Sequence, residues 1–211
     1  MNERPAEDAL ARGRDGGDEP GGRAPAPPAL RLVQLFLNTN DVESGADELG
    51  TVEGLRSWLA GHGLLPDGAR VGEADRDLVA RVREALRDVA GANSGRAVPE
   101  ASVRLLNGLR GAVLRIEFDG GGAARPRAAA AGVDGAIAAI LAQVARASAE
   151  GSWSRLKVCR RDVCRWVFYD HSKNRSGTWC TMAICGSRTK ARTYYRRQVG
   201  APIRPARSGT T

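Results

Sequence analysis

Cysteine is absent from the first 158 residues and from the last 26; all four cysteines fall between Cys159 and Cys185. Aromatic residues are scarce, at 5% of 211, so any core is built from alanine, leucine and valine. No apolar run approaches the about 20 residues a membrane helix needs. The longest, Ala29 to Leu37, is broken by Arg31 and Gln34. The stretch before it is acidic and rich in Pro and Gly, and no small-residue cleavage site follows, so it is a poor secretory signal. The expected compartment is the cytoplasm, where thiols stay reduced. Acidic residues are missing after Asp170. Residues 151–211 hold 14 Lys/Arg against 2 Asp/Glu, whereas residues 1–150 hold 18 against 22. A weakly acidic body carrying a strongly basic C-terminal unit points to a polyanionic partner for that unit. No His/carboxylate metal set, nucleophile elbow or phosphate-cradling loop appears, so the chain is not expected to be an enzyme. The acidic cluster Asp41, Glu43, Asp47 and Glu48 is read as a solvated loop.

What is present divides the chain into four parts. Residues 1–28, with paired glycines and the run APAPP, cannot bury enough apolar surface to order and are expected to be a disordered tail. Residues 29–150 read as a mainly α domain with a small β-hairpin. Leu32, Leu35 and Phe36 suit a helix over 30–40, although a buried strand fits nearly as well, and Asn38 and Thr39 close the run. Thr51 caps a helix that carries Leu55, Trp58 and Leu59 and stops at Gly61 and Gly63. Leu78, Val82, Ala85, Leu86 and Val89 recur at helical spacing over 73–90, with Gly91 to Gly95 as a loop. Pro99 opens a helix to residue 110 bearing Val103, Leu105, Leu106 and Leu109. Val113 to Phe118 and Ala124 to Ala129 make the hairpin, and residues 133–149 a last helix. Residues 151–198 are the cysteine unit. Residues 199–211 are expected to form a disordered basic tail.

The cysteines are spaced C-x4-C-x15-C-x4-C. Two tight pairs separated by a foldback give four thiolates in tetrahedral reach of one Zn²⁺. Four thiolates on zinc leave the site at −2, which Arg160, Arg161, Arg165, Lys173 and Arg188 offset. A structural zinc contributes about 10–16 kcal/mol to small peptides, enough to order a unit whose own core is Trp166, Phe168, Trp179, Met182 and Ile184. The alternation from Arg165 to Phe168 makes a strand with both aromatics on one face, Asp170 to Gly177 a hairpin tip, and Cys185-Gly186 the start of a helix. Knuckle, hairpin and ligand-bearing helix describe a small treble-clef-like α+β finger. The rival readings are four buried thiols, two disulfides, or a catalytic zinc with His171 as a ligand at the loop tip. His62, between two glycines, is a helix-end residue.

Beyond Cys185, Arg188, Arg192 and Arg196 recur every four residues, with Lys190, Tyr195 and Arg197 beside them. With Arg160, Arg161, Arg165, Lys173 and Arg175 they are the candidate contacts to nucleic acid. The bland reading is a solvated charged helix. A second candidate site is a ligand pocket formed by Asn38, Thr39, Trp58 and Asn107, polar or amphipathic residues among apolar helices, for which caps and core are the competing roles.

These residues resemble the CGNR zinc finger family: Cys164-Arg165-Trp166-Val167-Phe168-Tyr169-Asp170, then Ser172, Asn174 and Arg175, Trp179-Cys180-Thr181-Met182, and Cys185-Gly186-Ser187-Arg188 leading into a basic helix. Ser187 stands where that family has Asn, and the second pair is one residue wider than usual. Upstream, Leu35-x-x-Asn38-Thr39, Leu55-x-x-Trp58-Leu59 before Gly63-Leu64-Leu65, and Leu106-Asn107 resemble the helical ABATE domain that precedes the finger in that family. The resemblance spans about residues 30–198 and implies one structural zinc and a DNA-binding transcription regulator linked to stress. Its helical domain would sense a small-molecule effector or mediate assembly. The alternatives are an RNA- or ribosome-binding zinc protein, or a module that binds an acidic protein.

Overall fold

The structure, a computed structural model, describes Glu19 and residues 22–190. Pro28 starts the first helix, α1 (Pro28–Asn38), where its fixed φ suits the first turn and its missing N–H costs nothing. Leu30, Leu32, Val33, Gln34, Phe36 and Leu37 are all buried, so apolar contact surrounds most of the helix and makes it the central element. This settles the helix-or-strand ambiguity of that run. The expected tail over 1–28 is shorter at its C-terminal end. Glu19 is buried, and Arg23 lies against the finger, as described below.

After α1 the chain makes a small hairpin, β1 (Asn40–Asp41) against β2 (Ala46–Asp47). Its turn is fixed by Asp41, which accepts from the Glu43 N–H at 3.0 Å and from the Ser44 hydroxyl at 2.7 Å. The acidic stretch is therefore an ordered turn, with Asp47 held by Arg83 at 2.6 Å. Helix α2 (Val52–Gly61) is capped by Thr51, whose hydroxyl accepts from Gly54 N–H at 3.0 Å.

Helix α3 (Glu73–Ala92) is the longest, and it continues through Gly91, which was expected to lie in a loop. Its buried face is Val79, Val82, Arg83, Ala85, Leu86, Arg87 and Ala90. That face is rotated from the expected one, because two arginines replace Leu78 and Val89 in the interior. Helix α4 (Glu100–Asn107) buries no residue completely, and Val103 is exposed. It lies over α3, joined by the Ser102 hydroxyl to Asp88 at 2.7 Å. The hairpin β3 (Leu114–Phe118) and β4 (Ala124–Ala128) pairs Leu114 with Ala128 and Phe118 with Ala124. Helix α5 (Gly132–Ala149) buries Val133, Ala136, Ile137, Ile140 and Ala147, and packs on α1.

A short 3-10 turn (Trp153–Arg155) leads into β5 (Leu156–Val158), antiparallel to β6 (Val167–Tyr169). Strand β5 was not expected. Alternation then sorts the two faces of this sheet. Leu156, Val158, Val167 and Tyr169 join the same apolar core as α1, α3 and α5. Trp166 and Phe168 face the cysteines. Each of those buried aliphatic side chains is worth roughly 1.5–3 kcal/mol of burial, and the helices supply much of their covering. The finger is thus built onto the helical body through a shared core.

Candidate metal centre

Cys159 and Cys164 sit in the connection between β5 and β6, and the strand pairing brings the ends of that connection together. The Cys159 N–H donates to Trp166 O at 2.8 Å, and the Cys164 N–H to Arg161 O at 2.9 Å, closing the knuckle. The backbone amides of Arg161 and Cys180 point at the Cys159 sulfur, and that of Trp166 at the Cys164 sulfur. Arg165, directly after Cys164, has φ 50, a left-handed conformation that costs a side-chain-bearing residue about 1–2 kcal/mol. Two contacts from α3 hold it there. Asp88 takes its guanidinium at 2.7 Å, and Arg87 donates to its carbonyl at 3.3 Å.

The second pair is set by a loop and a helical turn. The Thr181 hydroxyl caps the turn Met182–Gly186 by accepting from Ala183 N–H at 3.2 Å. Both the Cys185 and Gly186 N–H groups reach Thr181 O at 3.1 Å, which widens the turn. Cys185 therefore lies inside a helical segment that begins at Met182, three residues before the expected start, and residues 187–190 continue it. A Cβ at Gly186 would lie 2.7 Å from the Met182 sulfur, so a larger residue there would displace that exposed side chain. Ser187 donates to Met182 O at 3.1 Å, so the hydroxyl standing in place of the family asparagine is used locally.

The four sulfurs lie within 4.8 Å of one another and are buried. Cys164 and Cys180 are 3.7 Å apart, Cys180 and Cys185 3.5 Å. Zn–S bonds of about 2.3 Å in a tetrahedron place sulfurs about 3.8 Å apart, whereas a disulfide needs about 2.05 Å. All four thiols are free. His171 takes no place in the cluster; its Nε2 is 3.0 Å from Pro25 O. The donor set fits one structural zinc with no open position, and the disulfide and catalytic readings do not fit. Thiol hydrogen bonds from Cys164 and Cys180 pull the Cys159 thiol down. The same contacts push Cys164 and Cys180 up. On their own these sulfurs share few negative charges, and a divalent cation is what permits all four to ionise. When bound, zinc cross-links the knuckle to the helical turn. The chain's own part is to aim the sulfurs and to bring a cation near Cys185, where Arg161 Nη1 is 4.0 Å from the sulfur.

A second polar cluster orders the loop between the pairs. Asp170 is 1% exposed and takes Lys157 at 2.8 Å, Gly177 N–H at 2.7 Å and Ser172 N–H at 3.0 Å. Burial pushes the Asp170 carboxyl up. The Lys157 hydrogen bond, with those from Ser172 and Gly177, overcomes this and holds it well below the usual carboxylate range. Lys157 also donates to the carbonyls of Arg175 and Gly177. Gly177 leaves no room for a Cβ, which would meet the Asp170 carboxylate at 2.7 Å. Lys157 carries no spacing signal in the sequence. Asp170 was visible as the end of the Trp-x-Phe-x-Asp pattern.

The residues expected to contact nucleic acid separate into groups. Arg160, Lys173, Arg188 and Lys190 are exposed. Arg161 and Arg188 are brought together on Glu43, at 2.7 and 2.8 Å. Arg165 turns inward to Asp88. Arg175, with φ 51, spans back to the Ser154 hydroxyl at 3.1 Å. Arg192, Tyr195, Arg196 and Arg197 lie outside the described residues, as does the tail 199–211.

The pocket expected from Asn38, Thr39, Trp58 and Asn107 is corrected. Asn38 donates to Val167 O and accepts from Val167 N–H, both at 2.8 Å, and so extends the edge of β6 as a strand would. Thr39 is buried, donating to Phe36 O at 2.8 Å and accepting from Arg83 at 3.0 Å. Trp58 is a core residue packed on Phe36 and stacked on His62, ring centroids 4.0 Å apart. Asn107 is exposed at the end of α4. The polar groups of Asn38 and Thr39 are consumed by the fold, and Asn107 faces solvent. A cleft of about 370 Å³ between α3 and α4 is lined by Asn40, Glu84, Asp88 and Leu105, among others, and by none of the four.

The body grips the finger at further points that the sequence did not disclose. Arg87, 1% exposed, donates to Leu37 O and Asn40 O as well as to Arg165 O. Arg96 donates to Arg160 O at 3.0 Å and to Asp162 at 2.9 Å. Asn93 holds Trp153 O and Leu156 O, both at 2.9 Å. Arg23 donates to Cys180 O at 2.9 Å and Trp179 O at 3.1 Å, and lies over the Phe168 ring.

Comparison with known proteins agrees with this division. Residues 155–198 match the family described as "CGNR zinc finger", and residues 26–151 match ABATE, described as "Putative stress-induced transcription regulator". No curated protein matches the chain. Among the described residues, no helix is long and apolar enough to cross a membrane. With the ABATE match covering more than half its length and the cysteine centre meeting the demands of a tetrahedral zinc, the chain belongs to the ABATE family, and a CGNR zinc finger follows that match.

Proposed function

We propose that the chain regulates transcription by binding duplex DNA through the basic face of its finger, as a binding protein and not as an enzyme. The observation that carries this reading is the charge of that face. Past Asp170 the chain has no acidic residue, and Arg160, Lys173, Arg188 and Lys190 stand exposed on a unit locked by four cysteines and a shared core. A fixed array of cations neutralises backbone phosphates without paying an ordering entropy first. The ABATE and CGNR descriptions support the regulatory assignment. The helical body serves as the sensing or assembly part, and its grip on the knuckle through Arg87, Asp88 and Arg96 would carry a change in the body to the finger.

The test is binding of the zinc-loaded chain to a random DNA duplex across a salt series, with structured RNA as competitor. Log affinity is expected to fall linearly with log salt, by about 0.9 per phosphate contacted, and DNA is expected to outcompete RNA. No binding at low salt removes the nucleic-acid reading in favour of an acidic protein partner. Preference for the structured RNA replaces DNA with RNA as the target.

A further inference from the structure

Glu43 stands in the turn between β1 and β2, 118 residues before Arg161 and 145 before Arg188. Its Oε2 accepts from Arg161 Nη1 at 2.7 Å and its Oε1 from Arg188 Nη1 at 2.8 Å. One carboxylate thus joins an arginine of the zinc knuckle to an arginine just beyond the last cysteine. The finger's own two acids are engaged elsewhere, Asp162 on Arg96 and Asp170 on Lys157. The anion between these two arginines is therefore supplied from outside the finger, by the body.

We infer that the notch between Arg161 and Arg188 is a binding position for a backbone phosphate of nucleic acid, and that Glu43 occupies it in cis. This rests on the nucleic-acid reading above. Two guanidinium groups converging on two oxygens of one anionic group accept carboxylate and phosphate alike. Arg161 is prepared for the exchange. Its side chain is 19% exposed and its Nη1 sits 4.0 Å from the Cys185 sulfur, so it keeps its place when Glu43 leaves. Glu43 is prepared to leave. Its side chain is 37% exposed, while its backbone N–H stays anchored to Asp41, so the carboxylate swings out without unfolding the turn. Arg188, 58% exposed, follows either anion. Exposed ion pairs of this kind are weak individually, so a polyanion displaces Glu43 while an isolated anion at low concentration does not. The body in this way sets a threshold on what the finger binds.

The experiment compares the zinc-loaded full chain with Glu43→Gln for binding to a fluorescent random DNA duplex at fixed moderate salt. Glu43→Gln is expected to bind about three- to tenfold more tightly, the range that loss of one or two weak competing pairs allows. In an Arg161→Gln/Arg188→Gln background the same change is expected to give no gain. Zinc content and melting temperature of each variant confirm that folding is unchanged. Wild-type binding with no gain in Glu43→Gln overturns the exchange and leaves the nucleic-acid reading standing. A gain that persists without the two arginines reports general charge repulsion and overturns the notch. Absence of binding by wild type and Glu43→Gln alike, at low salt, overturns both.

Discussion

Asn38→Ala separates a structural brace from a pocket residue. Among the described residues, Asn38 is the partner of the Val167 N–H, at 2.8 Å, and the closer of two donors to Val167 O, the other being Gln34 Nε2 at 3.4 Å. Val167 is fully buried. Truncation leaves one buried N–H without a partner, at about 1–3 kcal/mol, and weakens a carbonyl that keeps one long bond. The expected loss is about 2–3 kcal/mol, or a fall in Tm of roughly 5–10 °C for a chain of this size. Asn38→Asp tests the geometry further. It keeps an acceptor for the N–H but sets a carboxylate against Val167 O, and it should destabilise at least as much as alanine. The assay is chemical denaturation of the zinc-loaded protein, with zinc affinity measured in parallel by chelator competition. Val167 lies three residues after Cys164, so both variants should also lower zinc affinity. A change below about 0.5 kcal/mol, the scatter of surface substitutions, with zinc affinity unaltered, would refute the brace.

The remaining predictions concern the metal and the buried ion pair. One equivalent of zinc per reduced chain is expected, and chelation should lower the melting of the helices together with the finger in one transition, followed by circular dichroism, because Val158, Val167 and Tyr169 belong to the helical core. Two separate transitions would contradict a shared core. Asp170→Asn should cost about 3–5 kcal/mol near neutral pH, since it strands a buried Lys157. A carboxyl held below its unfolded value contributes stability that is complete above that value, about 4, and is lost as the pH falls towards its folded value. The gap between wild type and Asp170→Asn should therefore close progressively below about pH 4; a gap that is constant with pH would show that the charge is not what matters. Gly177→Ala should disrupt the same cluster through its contact with the Asp170 carboxylate, and retention of full zinc affinity and stability would refute that.

The zinc ligands were legible because coordination chemistry is local: four thiols in two tight pairs leave few other uses. Most helices were legible for the same reason, through periodicity and caps such as Thr51. The burial of Arg83 and Arg87 was not, since a charged residue ordinarily marks the outside of a helix. Arg87 is inside because the carbonyls of Leu37 and Asn40, where α1 ends, and that of Arg165 take its donors, and Arg83 because it pairs with Asp47 and donates to the Thr39 hydroxyl. Asn38 and Thr39 were read as a helix end, which they are. That Asn38 also completes an edge of β6 depends on a strand 129 residues away. Glu43 looked like one of several solvated acids, and only the folded chain shows which cations it meets.

Arg23 has a consequence for how the molecule is made. Its partners, Trp179 and Cys180, lie 156 and 157 residues later, and Asn38 waits 129 residues for Val167. A chain growing from its N-terminus exposes these groups long before their partners exist. The helices can gather once α5 has emerged to pack on α1, but the side of α1 that faces β6 stays open until the cysteines emerge and capture their ion. Capture of metal then closes that seam, and because body and finger share one core, a cell short of zinc would accumulate chains whose whole fold, helices included, is weakened along this apolar edge.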